Sequence, residues 1–102
     1  MKANRAVQTL IQQSTLAYLT HSLDKGEAVE FGKLRDYINA AFPDVQHNWM
    51  VTVRSPMQQL INEKKMVRDV SNIRGPELYI PVGGIQLSAK QVAGMDSTMG
   101  GL

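Results

Sequence analysis

The chain contains no cysteine, which removes disulfide bonds, thiolate metal ligation and a thiol nucleophile at one stroke. Long apolar runs are also missing, and crossing a bilayer takes about 20 such residues. Histidine is scarce: His21 and His47 are far apart and neither neighbours a carboxylate pair, so no metal or acid–base constellation is expected. No glycine loop joins a strand to a helix to cradle phosphate, because Gly83-Gly84 lacks that context. Serine and threonine are plentiful, yet none sits in a pattern that would activate a nucleophile. The expectation is a protein that is not an enzyme and takes no cofactor. The opening residues break their apolar content with Asn, Gln, Thr and Ser, unlike a signal peptide, and a cytoplasmic location is the corresponding expectation.

What is present is enough for one core. The chain has 102 residues, 43% of them hydrophobic and 20% charged, the balance of an ordinary globular protein. Residues 1–82 read as one domain, and the glycine-rich stretch 83–102 as a flexible tail with a brief helical turn around Leu87 to Val92. The net charge is only +2, but it is unevenly placed. Up to residue 45 acidic and basic side chains cancel. Beyond it, Arg54, Lys64, Lys65, Arg68 and Arg74 face only Glu63 and Asp69 before residue 77. A contiguous positive excess of this kind suggests a polyanion.

Hydrophobic spacing divides the domain. Residues 4–23 read as a helix with one stripe of Val7, Leu10, Ile11, Ser14, Ala17 and Tyr18 and a second of Leu16, Leu19 and Leu23. Two faces require two partners; the second stripe is either an internal surface or a dimer contact. Residues 28–31 read as a short strand leading into a helix from Gly32 to Phe42, with Leu34, Tyr37, Ile38, Ala41 and Phe42 inward and Pro43 closing it. Met66–Val70 and Leu78–Val82 read as two strands, with Pro81 placing the latter at a sheet edge.

The third helix carries most of the information. Met50, Val53, Met57, Leu60 and Ile61 recur at helical spacing as far as Lys64, and Asn48 suits an N-cap. Pro56 interrupts this, at a cost of about 3 kcal/mol in a helix interior. The helix is therefore either long and kinked, which the unbroken periodicity favours, or shorter and capped by Ser55. With the apolar residues inward, Asn48, Thr52, Ser55, Gln58, Gln59 and Asn62 face outward. These short hydrogen-bonding side chains suit base edges in a major groove. Arg54, Lys64 and Lys65 flank that face, while Arg68, Asn72 and Arg74 belong to the ribbon and would meet phosphate or a minor groove. Trp49 reads as a packing residue.

The order helix, strand, helix, helix, two-stranded ribbon resembles the winged helix-turn-helix superfamily. The likeness lies in VEFGKLRDYINAAF and in VTVRSPMQQLINEKKMVRDV, where Thr52-Val53-Arg54, Leu60-Ile61, Lys64-Lys65 and Met66-Val67-Arg68 match its recognition helix and first wing strand. Pro56 departs from the pattern, and so does Lys64-Lys65, where many relatives close the helix with glycine. The resemblance implies an α+β, mostly helical fold with three helices and a small antiparallel wing. It also implies a homodimer that binds double-stranded DNA as a small transcriptional regulator; the short length, with no ligand-sensing domain, suits a regulator of a phage or mobile element. A protein-interaction adaptor and an accessory of replication or partition are the alternatives.

Overall fold

The computed structural model describes residues 1–71 and 74–82. The expected tail and Asn72 lie outside the described residues. Within them the chain is α+β and mostly helical, with three helices and one small antiparallel sheet.

Helix α1 spans Arg5–Asp24. It starts at Asn4, whose extended backbone lets its Oδ1 accept the Val7 amide at 2.9 Å, satisfying a donor the helix leaves orphaned. It stops where Gly26 takes φ 72, so that the Gly26 amide reaches the Leu23 carbonyl and the Glu27 amide reaches the Ser22 carbonyl, both at 2.9 Å. This reversal needs a left-handed residue, and glycine adopts that conformation without steric cost.

Only one face of α1 enters the core. Ile11, Thr15 and Leu19 are fully buried, with Val7, Leu16, Tyr18 and Leu23 half-buried around them. The Thr15 hydroxyl donates to the Ile11 carbonyl at 2.9 Å, which makes its burial tolerable. The two stripes read from spacing are thus largely merged, and the residues left out are Leu10 and Ala17, both exposed. Leu19 is corrected from dimer contact to core: no part of it is accessible, and Leu16 and Leu23 pack beside it.

Strand β1 (Val29–Glu30) runs without a gap into α2 (Phe31–Ala41). Leu34 and Ile38 are buried, whereas Tyr37 and Ala41 are exposed, so the inward stripe of α2 is narrower than expected. Pro43 follows the helix, and Asp44 turns the chain at φ 59. Gln46 then lies parallel to Lys2, its carbonyl accepting the Ala3 amide at 2.8 Å.

The remaining helix comprises a π-helical turn, Met50–Arg54, running directly into α3, Ser55–Asn62. Strands β2 (Met66–Arg68) and β3 (Leu78–Pro81) complete a sheet of order β1-β3-β2. Val29 pairs with Tyr79, and Met66, Val67 and Arg68 pair with Pro81, Ile80 and Tyr79. β3 is therefore the central strand, not an edge. Pro81 is tolerated for a local reason. The Val82 amide bonds toward β2, to the Lys65 carbonyl, so by alternation the nitrogen of Pro81 faces the β1 side, opposite the residues that precede the start of β1 at Val29. One cluster joins every element: Ile11, Leu19, Val29, Leu34, Ile38, Val53, Met57, Leu60, Met66 and Tyr79.

Candidate functional site

The backbone is helical from Trp49 to Asn62, and Ser55 continues it at φ −64, ψ −47. The long helix is thus the observed alternative, and Ser55 is not a cap. Asn48 is the cap: its Oδ1 accepts the Met50 amide at 3.0 Å and its carbonyl accepts the Thr52 amide at 2.9 Å. The interruption at Pro56 is absorbed by the π turn just before it, where bonds reach five residues instead of four. The residue that cannot donate falls where the regular ladder is already broken.

That turn changes which side chains face out. An α-helix advances about 100° per residue, and a π turn advances less. Counting back from Ser55, the deficit accumulates, carrying Thr52 inward and Met50 outward. Thr52 is fully buried, and Met50 is 67% exposed. Both assignments read from uniform spacing are corrected. The Thr52 hydroxyl donates to the Asn48 carbonyl at 3.0 Å and also lies 2.6 Å from His47 Nδ1. The His47 ring packs on Trp49 at 4.6 Å between centroids, and burial lowers its pKa below the ordinary histidine value. Trp49 is half-buried against the core, as a packing residue.

Asn48, Ser55, Gln58, Gln59 and Asn62 do lie on the exposed side. Gln58 donates to Asn62 at 2.8 Å and Gln59 to Glu63 at 3.3 Å, pairs one turn apart that hold this surface in order. Lys64 and Lys65 close the helix. The Lys64 amide bonds the Ile61 carbonyl at 3.0 Å and the Lys65 amide that of Leu60 at 2.9 Å, the same reversal that ends α1. Lys64 takes φ 61, the conformation a glycine would hold without strain. Lys65 Nζ lies 3.4 Å from Glu63. Arg68 and Arg74 are exposed, and the Arg68 guanidinium stands 5.9 Å from the Tyr79 ring.

Arg54 differs from the other cations. Its guanidinium stacks on Phe31 at 3.9 Å from the ring centre and makes a two-pronged ion pair with Glu77, whose carboxylate also accepts the Tyr79 hydroxyl. The hydrogen bond from Arg54 holds the Glu77 carboxyl below the usual range, and its partner Arg54 is raised by that same bond. Desolvation foremost, then the bond to Glu77, raises the Tyr79 phenol. Arg54 is therefore corrected from phosphate contact to an internal tie between the third helix, α2 and β3. Glu77, Tyr79 and Phe31 lie 20 or more residues from it in the chain, and no local spacing announces such a meeting.

Beside the exposed helix face lies an open groove of about 350 Å³, reaching from Met50 and Ser55 to Ile61 and Tyr79. Among the described residues no group of three His, Asp or Glu side chains is placed to hold a metal ion. No helix among them is long and apolar enough to cross a membrane. No family model matches the chain, and neither a curated protein nor a solved structure shows significant similarity to it.

Proposed function

We propose that this chain is a sequence-specific double-stranded DNA-binding protein of the winged helix-turn-helix kind, acting as a small transcriptional regulator. In this reading the third helix enters the major groove and the β2–β3 ribbon forms the wing. One observation carries it. The exposed helix surface from Ser55 to Asn62 presents hydroxyl and amide groups, while Lys64, Lys65, Arg68 and Arg74 are exposed at its end and on the ribbon. Amides suit base edges, Gln being matched to adenine, and cations suit phosphates. Thr52 drops out of the readers and Arg54 out of the positioning charges because both are spent internally. Asn48, Ser55, Gln58, Gln59 and Asn62 remain as candidate readers, with Lys64, Lys65, Arg68 and Arg74 as positioning charges.

The test is an affinity titration on selected and scrambled duplexes at two salt concentrations. Gln58→Ala is expected to cost about 1–3 kcal/mol on the selected site only. Arg68→Ala and Arg74→Ala should weaken both duplexes alike and reduce the salt slope by about one charge each. Absence of binding to any duplex at low salt would reject the reading.

A further inference from the structure

Between Arg5 and Asp24 the chain has no Asp, Glu, Lys or Arg, although this segment is a surface helix. Its inner face is accounted for by the core. Its outer face carries Ala6, Leu10, Gln13, Ala17 and Thr20, all exposed and all at spacings of three or four residues, so they form one stripe. Leu10 is 53% exposed at its centre. On the flank of α1, Tyr37 of α2 is 45% exposed and its ring lies 5.0 Å from that of half-buried Tyr18. Elsewhere the outer surface is ordinary: α2 shows Lys33, Arg35 and Asp36 to solvent.

We infer that this outer face of α1 is the contact between two copies of this chain, packed antiparallel. Charge selects the occupant. A two-fold contact sets a surface against itself, so every charge on it meets its own like. A helix face swept clean of charge avoids that repulsion, and the opposite charges at its two ends make the helix complementary to an inverted copy of itself. Charge also selects the direction. The only full charges of α1 stand at its ends, Arg5 at the first residue and Asp24 at the last. Antiparallel packing brings each Arg5 toward the other copy's Asp24 and opposes the helix dipoles; parallel packing would set like on like. The small side chains of Ala6 and Ala17 allow close approach of two helix axes. Ala6 to Thr20 covers about 21 Å of helix, so the contact is at the small end of specific interfaces and its dimer is concentration-dependent. The inference does not depend on DNA binding.

The experiment is sedimentation equilibrium of the full chain without DNA, up to about 1 mM, a concentration that reveals weak association. Wild type should move from monomer to dimer mass across the series. Leu10→Glu and Ala17→Glu should stay monomeric with unchanged melting, because both positions are exposed, while Lys33→Glu on α2 should dimerise as wild type does. Arg5→Glu and Asp24→Lys should each weaken the dimer, and the double variant should restore it. A wild type that remains monomeric throughout overturns the inference. So does a dimer that survives Leu10→Glu and Ala17→Glu, which would place the contact elsewhere. Failure of the charge swap to restore association overturns the antiparallel arrangement.

Discussion

Helix α1 and the third helix end in the same backbone reversal yet follow the rules of spacing to different degrees. From Arg5 to Asp24 nothing interrupts the ladder, and the buried residues Ile11, Thr15 and Leu19 fall at a strict four-residue interval. The third helix contains Pro56, and its first turn widens to accommodate the missing donor. The lesson is one of phase. A single altered turn leaves the helix helical but rotates everything before it, so that Thr52 is buried and Met50 is not.

The sharpest way to break that comparison is to truncate one residue from each side of it. Leu19→Ala should cost about 2–5 kcal/mol in urea denaturation, because a fully buried leucine leaves a cavity. Met50→Ala should change stability by no more than about 0.5 kcal/mol, as expected of an exposed position. Uniform spacing gives the opposite ranking for Met50, so a loss there above about 2 kcal/mol would disprove the rotated phase.

The next contrast lies within the cations. Arg54→Ala should cost about 2 kcal/mol, from a charge-assisted pair plus a stacking contact, reduced from the fully buried range because the site is partly open to water. Arg68→Ala should cost less than about 0.5 kcal/mol. Equal losses in the two variants would show that the Glu77 pair does not hold the fold.

These contrasts mark what the sequence made legible. Element order, helix extents and most of the core follow from periodicity, which registers burial of consecutive turns. The Asn48 cap and the exposure of Ser55, Gln58, Gln59 and Asn62 were legible for the same reason: they follow a local rule. Arg54 was not, because its partners on α2 and β3 become neighbours only through the sheet. Central β3 was likewise obscured by Pro81, which looks like an edge residue until the short length of β1 is known.

Acid should separate the two neighbourhoods further. His47, lowered by burial, and Glu77, lowered chiefly by the hydrogen bond from Arg54, both have folded-state pKa values below their unfolded ones. Each contributes stability that is present above the unfolded value and lost as pH falls through the folded one: from about 6.5 downward for His47, and from about 4.5 for Glu77. Melting temperature measured against pH should therefore fall in two stages. His47→Gln should flatten the first and Glu77→Gln the second; Asp69, held low by its bonds to Ser71, adds only to the acid end. A fall with a single stage in wild type would contradict this assignment.

The smallest expected effect lies at the shared reversal. Lys64→Gly should stabilise the protein by about 0.5–1 kcal/mol, since Lys64 bears the strain of positive φ, while Gly26→Ala should destabilise it by about 1 kcal/mol. Opposite signs in a thermal melt would support equivalence of the two ends; the same sign would refute it.

The π turn also bears on how this helix tolerates changes in length. It holds about one more residue than an α turn does, and Val51 within it is exposed. Deleting Val51 lets the segment relax to α-helix. The extra rotation this brings is then partly offset by the residue removed, so Trp49 stays turned toward the core. A deletion within Ser55–Asn62 finds no such slack, and would swing Asn48 and Trp49 away together. A one-residue deletion in this helix is thus better absorbed in the turn before Pro56 than after it.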